Sequence, residues 1–259
     1  MNYNLDNYRA LLRLALASGY NFADYEIESP KGKTIFLRHD IDYSLNWALL
    51  FAEINSGLGV SSTFFVQLRC PLYNIYAYPS QLAIKKLIRF GQKIGLHVVI
   101  ENEPKDHDDI ELFIKEEWRV FKEIVPEASR VFAWHNPSAL DHLNEFKGAE
   151  FGGLLNAYGE FAGGEYPYKA DSNMRYSYSE LERIISSDIP VFQLALAPLQ
   201  WIPGKPDMKG VLASTMVQKI IDSEQEFQTN IIYHESLSEG ISDRALFSIE
   251  KIITDELKG

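Results

Sequence analysis

The stretch FLRHDID, Phe36 to Asp42, ends an apolar run on two carboxylates, Asp40 and Asp42, beside Arg38 and His39. Two neighbouring carboxylates repel unless a cation or a shared proton relieves them. On extended backbone, residues i and i+2 share a side, so this spacing suits a centre in which one carboxylate holds a metal ion and the other acts on water. A catalytic divalent ion takes about three protein ligands of carboxylate or imidazole type and leaves a position open. Asp42, His97 and His135 supply such a set. Asp40 then stands close enough to serve as a base, with Arg175 or Arg38 available to hold its carboxylate. Taken singly, each Asp or His after a strand reads equally well as a cap, a turn former or a solvated side chain. His39 should point away from the carboxylates and be structural. His107 and His142 read as surface residues, and His234 is ambiguous.

These residues must be carried to one place by the elements that hold them. Apolar, β-rich runs cover 33–39, 60–68, 96–101, 130–136, 153–158 and 190–198, with a weaker one at 229–235. Helical periodicity covers 45–58, 81–93, 108–124, 179–186, 211–224 and 242–257. Strands that are apolar on both faces and alternate with helices predict a parallel sheet with helices packed outside. About seven such units predict an α/β barrel, whose site lies at the carboxyl ends of the strands. Asp40 and Asp42 end the first run, His97 sits in the third, His135 ends the fourth, and Asp171 and Arg175 follow the fifth. Two connections, RCPLYNIYAYPS and GEFAGGEYPYKADSNMRYSYS, are too long for minimal turns and read as cleft walls.

Composition narrows the function classes. With 259 residues, 46% of them hydrophobic, the chain can bury one large core. Residues 1–259 therefore read as a single domain, with an N-terminal helix over 1–20, a barrel over 33–235 and a C-terminal helix over 240–258. A formal net charge of −11 argues against nucleic acid as a partner. One cysteine, Cys70, rules out an intrachain disulfide framework and a cysteine-rich zinc site. Asp6, Arg9 and Arg13 interrupt the apolar residues of the N-terminal segment, which reads as an amphipathic helix and not as a signal peptide. No segment reaches the roughly 18 uncharged apolar residues of a membrane span. The expectation is a cytoplasmic protein of unknown oligomeric state.

The motifs LRHDID, SSTFFV, KIGLHVVIE, FAWHNPS, LNAYGEF, KADSNMRY and FQLALAPLQW, in that order over residues 34 to 201, resemble those of the polysaccharide deacetylases. These are the NodB-homology type, carbohydrate esterase family four, and the first motif is similar to the R-H-D-x-D subgroup. The resemblance implies a distorted (β/α) barrel of about seven parallel strands. It also implies a hydrolase that removes an acyl group from an acylated sugar with one divalent metal, zinc being the first choice. Asp40 falls on the catalytic base, and Asp42 and His97 fall on metal ligands. Where the common form has a second histidine, this chain has Glu101. His135 is the candidate for the missing ligand and Glu101 the runner-up. Asp171 and Arg175 fall in the region that holds an aspartate and a basic residue near the base.

One departure bears on activity. The family's last motif carries a histidine that acts as general acid toward the leaving amine, and Ala197 stands at that position. A group of this kind contributes about 10²- to 10⁴-fold in rate. Another donor, His39 or His234, would have to replace it, or an ester would have to be the substrate, or the chain would bind an acylated sugar or oligosaccharide without hydrolysing it. The resemblance and the aromatic loops point to a sugar ligand, with Tyr73, Tyr76, Tyr78, Tyr158, Tyr166, Tyr168, Tyr176 and Trp201 as ring platforms and Asn136 as a further contact. Without a visible export signal, a precursor in lipopolysaccharide- or capsule-type biosynthesis fits better than a finished cell wall. A two-metal amidohydrolase or phosphodiesterase is the weaker alternative, because RHDID lacks the His-x-His pair that usually opens those sites.

Overall fold

A computed structural model describes residues 3–100, 107–136, 148–161, 163–227 and 251. Glu101, His142 and His234, the run at 229–235 and the helix expected at 242–257 lie outside the described residues, residue 251 apart, as does the side chain of His107.

The chain opens with α1 (Leu5–Ala17) and β1 (Asn21–Phe22), then alternates β2 (Thr34–Ile41), α2 (Leu45–Gly57), β3 (Thr63–Gln67), α3 (Tyr78–Arg89), β4 (Lys93–Val98), α4 (His107–Ile124) and β5 (Val131–Trp134). A short hairpin follows, β6 (Glu150–Phe151) and β7 (Leu154–Asn156). Next come β8 (Tyr168–Ala170), α5 (Tyr178–Ile185), β9 (Val191–Ala195), α6 (Pro198–Trp201) and α7 (Met208–Phe227). The strands form one sheet in the order β6-β7-β5-β4-β3-β2-β9-β8, with β1 beside the start of β2. Every pairing is parallel except β6 with β7.

The sheet curls into a distorted (β/α) barrel whose wall is the seven parallel strands from β7 to β8. No backbone pairing joins these two ends among the described residues. Side chains bridge the gap instead. Tyr158, just beyond β7, and Tyr168 on β8 meet with ring centroids 5.4 Å apart.

Strand alternation explains the two cores. On β2, Ile35, Leu37 and Ile41 face outward into the large cluster that includes Leu11, Leu12, Phe51 and Leu87. Phe36, one residue out of phase, faces inward with Phe65, Val131, Ala133 and Phe161. The barrel is thus filled by side chains and not hollow. Gly95 belongs to the inner set, because a Cβ there would lie 2.6 Å from the Phe65 ring.

The strands expected at 60–68, 130–136, 153–158 and 190–198 contain β3, β5, β7 and β9, and the one expected at 33–39 continues as β2 to Ile41. The run placed at 96–101 begins earlier, at Lys93. The helix expected over 81–93 ends at Arg89 because Gly91, at φ 77°, turns the chain left-handed. The strand β8 corrects the reading of 159–179 as loop throughout. Its three residues follow Pro167, and the Gln193 amide binds the Pro167 carbonyl at 2.9 Å. β1 adds a strand at 21–22, ahead of the expected start of the barrel. The N-terminal helix spans 5–17 and is capped by the Asn4 side chain, which accepts the Asn7 amide at 2.8 Å. Among the described residues, no helix is long and apolar enough to cross a membrane.

Candidate active site

The alternation that sends Phe36 into the barrel also sends Arg38, Asp40 and Asp42 inward, at increasing height toward the rim. Arg38 is fully buried. Its Nε donates to Asp40 Oδ1 at 3.0 Å and its Nη2 to Asp40 Oδ2 at 2.7 Å. The guanidinium packs over Phe65 and Tyr158, 4.8 and 4.7 Å from their centroids, and donates a longer bond to the Tyr158 hydroxyl at 3.3 Å. Burial works against its charge, but Asp40 together with Tyr158, Tyr168 and Tyr25 outweighs burial and keeps the arginine protonated throughout the working pH range. Arg175, the other residue expected to hold Asp40, is exposed on the turn after β8 and does not line the cavity.

Asp42 stands one residue beyond β2, His97 is buried on β4, and His135 follows β5 directly. Asp42 Oδ1 lies 3.2 Å from His97 Nε2 and 3.1 Å from His135 Nδ1, and the two ring nitrogens are 3.4 Å apart. Gln67, at the end of β3, donates to the same Asp42 oxygen at 2.7 Å. Burial alone would raise the Asp42 carboxyl pKa. Hydrogen bonds from His135 and His97 outweigh burial and hold it well below the usual carboxylate range. Burial disfavours charge on His97 too, but Asp40 and Asp42 outweigh it and push the imidazole up.

This donor set fits a small divalent ion. Zinc binds nitrogen and carboxylate oxygen at about 2.0–2.2 Å, which puts the edge of a tetrahedron at roughly 3.3–3.6 Å. The three donor separations lie close to that edge. His97 has the required orientation: its Nδ1 faces the Ala133 carbonyl at 3.0 Å and keeps its proton there, so Nε2, which gives its hydrogen to Asp42 while no ion is present, is the atom that an ion would take on displacing that hydrogen. For His135 the outer nitrogen, Nε2, faces the Asn136 amide at 3.0 Å. Turning that amide by a half-rotation presents its oxygen and frees the lone pair of His135 Nδ1. Asn136 adopts a left-handed backbone, φ 47°, to make this contact.

The opposite wall is built by the turn after β8 and by α6. Asp171 is only 4% exposed. Its Oδ2 accepts the Ala197 amide at 2.9 Å and the Trp201 indole N–H at 3.0 Å. Burial pushes its carboxyl up to about 7, against the pull of those N–H donors. Ser172, Asn173 and Met174 follow with φ of 47°, 56° and 61°, a run of left-handed residues without glycine that is costly to hold. Gln200 donates from Nε2 to Asn173 Oδ1 at 3.3 Å, while its buried Oε1 has no hydrogen-bond partner.

The two walls enclose a cavity of about 330 Å³ that Asp40, Asp42, His97, His135, Asn136, Tyr158, Asp171 and Ala197 all line. Tyr168, Ser172, Asn173 and Gln200 also line it. Trp201, expected as a ring platform, is completely buried and serves Asp171 instead. Tyr73 is half-buried with its hydroxyl engaged, donating to the Ile41 carbonyl and accepting the Gln67 amide. Tyr76 and Tyr78 are exposed, and Tyr166 packs on Phe36 and Phe161. His39 faces outward as expected, its Nδ1 2.6 Å from the Leu196 carbonyl and its Nε2 near Tyr8 and Asn55.

Gln67 and Gln200 were not anticipated. Gln67 keeps phase with Phe65 in TFFVQ and so had to face inward at the rim. For Gln200 the sequence offers no comparable signal.

Fold and side chains together define a parallel α/β barrel with an Asp-His-His cluster and a clamped carboxylate at its carboxyl rim. No family model and no curated protein sequence matches the chain. Solved structures similar to it include a mutant of a CE4 family pseudoenzyme from Bacillus anthracis with restored enzymatic activity (13% identity, 75% of this chain and 65% of that one, TM-score 0.45). Others are the chitin deacetylase from the fungal pathogen Colletotrichum lindemuthianum (14%, 74% and 85%, 0.43) and a putative polysaccharide deacetylase involved in O-antigen biosynthesis from Bordetella bronchiseptica (12%, 93% and 99%, 0.39). The chain spans less than two thirds of the Bacillus anthracis chain.

Proposed function

We propose that this chain is a metal-dependent carbohydrate deacetylase of the R-H-D-x-D subgroup, acting on an N- or O-acylated sugar in surface-polysaccharide biosynthesis. The observation that carries the reading is that Asp40 and the Asp42-His97-His135 cluster open on one cavity. The ordered motifs supply the reaction class.

Asp42, His97 and His135 would hold the ion, zinc by the nature and spacing of the donors. A divalent ion in that place supplies Lewis acidity, polarising an acyl carbonyl and acidifying water. Asp40 accepts the proton of the attacking water, and the buried Arg38 fork fixes the direction of its carboxylate. Tyr158 and Tyr168 offer ring edges to a sugar. Gln200 Oε1, buried and without a donor of its own, takes a hydroxyl or amide hydrogen from the ligand. The volume suits one sugar residue and its acyl group, at the small end of ligand cavities.

The test is metal analysis of the purified chain, followed by acetate release from N-acetylated chito-oligosaccharides and from 4-nitrophenyl acetate. One equivalent of zinc and release that stops on chelation are expected. If zinc-loaded protein releases nothing from amide or ester, the catalytic reading fails. The methyl group of Ala197, where the family has a histidine, favours a second reading for that case: a homologue that binds a glycan or its precursor without cleaving it.

A further inference from the structure

Hydrolysis of an amide needs a proton on the leaving nitrogen, and Ala197 cannot give one. The donors named from sequence do not serve. His39 faces the helices and not the cavity, and His234 lies outside the described residues. Among the described residues lining the cavity, Asp42, His97 and His135 form the cluster and Asp40 is tied to Arg38 through both oxygens. One carboxyl group remains.

Asp171 is held beside the residue that stands where the family has its histidine, and both line the cavity. The Ala197 amide itself donates to Asp171 Oδ2, and Trp201, four residues on, donates to the same atom. Oδ1 carries neither bond. The two carboxyls of the cavity outside the metal cluster therefore have opposite surroundings. Asp40 faces a permanent cation, whereas Asp171 is buried among neutral N–H groups. Sites that drive two carboxyl environments apart in this way divide the roles of base and acid between them.

We infer that Asp171 is the general acid of this chain, donating the proton to the leaving nitrogen in place of the family's histidine. This rests on the deacetylase reading. Asp40 takes a proton from water as the hydroxide oxygen bonds to the acyl carbon. The carbon–nitrogen bond then breaks with its electron pair going to nitrogen, and the Asp171 proton moves onto that nitrogen. The products are a carboxylic acid and an amine. Asp40 is left protonated and Asp171 ionised, and solvent returns a proton from one to the other. The titratable groups facing Asp171 are Asp40 from β2 and Tyr3 ahead of α1, while α6 presents the Ala197 amide and the indole of Trp201. Burial, with the negative charge of Asp40 adding to it, keeps a proton on the Asp171 carboxyl up to about pH 7.

Asp171→Asn keeps an acceptor for both N–H groups and removes the acid. In zinc-loaded protein, amide hydrolysis should fall by about 10²- to 10⁴-fold. Hydrolysis of 4-nitrophenyl acetate, whose leaving phenolate needs no proton, should change less than tenfold. An infrared carbonyl band of a protonated carboxyl at pH 6 should be present in the native chain and missing from the variant, whatever the activity. Equal loss on both substrates, or unchanged amide hydrolysis, would overturn the assignment, as would a native spectrum without that band. If the native chain cleaves neither substrate, the deacetylase reading itself has failed, and the infrared band still decides whether Asp171 carries a proton.

Discussion

Arg38 and Asp40 are neighbours on one face of β2, and they form a two-bond ion pair whose cation is wholly inside the barrel. A buried guanidinium is stable only while its partner is present, because removing one member leaves an uncompensated charge. Arg38→Ala should destabilise the fold by about 3–5 kcal/mol, the range measured for breaking buried pairs. Arg38→Lys keeps the charge but loses the fork, so we expect its loss of deacetylation to exceed its loss of stability. Urea unfolding and kcat measured on both variants check this. A lysine variant with native kcat would show that the fork does not orient Asp40.

Removal of metal gives a second prediction. A ligand that binds only the folded state raises the melting temperature in proportion to the logarithm of its concentration. Zinc should stabilise the native chain, and a chelator should reverse the effect. His97→Ala and His135→Ala should lose both the shift and the bound equivalent of zinc. If His135→Ala still binds zinc like the native chain, the third ligand lies elsewhere, and Glu101 becomes the residue to replace.

Gln200 offers a test of ligand contact free of the metal. Its buried Oε1 lacks a donor, so an apolar side chain of similar size removes an unsatisfied group along with the 3.3 Å bond to the exposed Asn173, and stability should change little. If a sugar hydrogen fills that place, Gln200→Leu should raise KM about tenfold, near the 1.4 kcal/mol expected of one such bond. An unchanged KM would remove Gln200 from the binding surface.

The centre was legible because strand phase is strict. Once FLRHDID is read as a strand with Phe36 inside, Arg38, Asp40 and Asp42 must follow it inward and His39 must face out. His97 and His135 join them because β4 and β5 pair in register beside β3, bringing His97 opposite Ala133. Sequence could not choose between Arg38 and Arg175, since that choice depends on which arginine the barrel encloses. Trp201 was misjudged for a related reason. Its indole is a flat ring in sequence, and only the position of α6 against Asp171 shows that the N–H is its working part. β8 escaped notice because three residues after a proline carry no periodicity, although they complete the sheet.

Two buried groups should give opposite pH dependences of stability that are hidden in the native chain. The His39 pKa is lowered to about 4 by burial, against the Leu196 carbonyl, from about 6.5 in an unfolded chain. A depressed value means that the stability it contributes is present above pH 6.5 and lost as the pH falls toward 4. The Asp171 pKa is raised to about 7 by burial, from about 3.9 unfolded. A raised value means that its contribution is complete below pH 3.9 and lost as the pH rises through 7. Over nearly the same window the two slopes offset each other. Each becomes visible when the other group is removed: Asp171→Asn should lose stability on acidification from pH 7 to 4 more steeply than the native chain, and His39→Asn should gain it. Urea midpoints taken at half-unit intervals across that window decide the matter, and parallel curves for all three proteins would contradict both assignments.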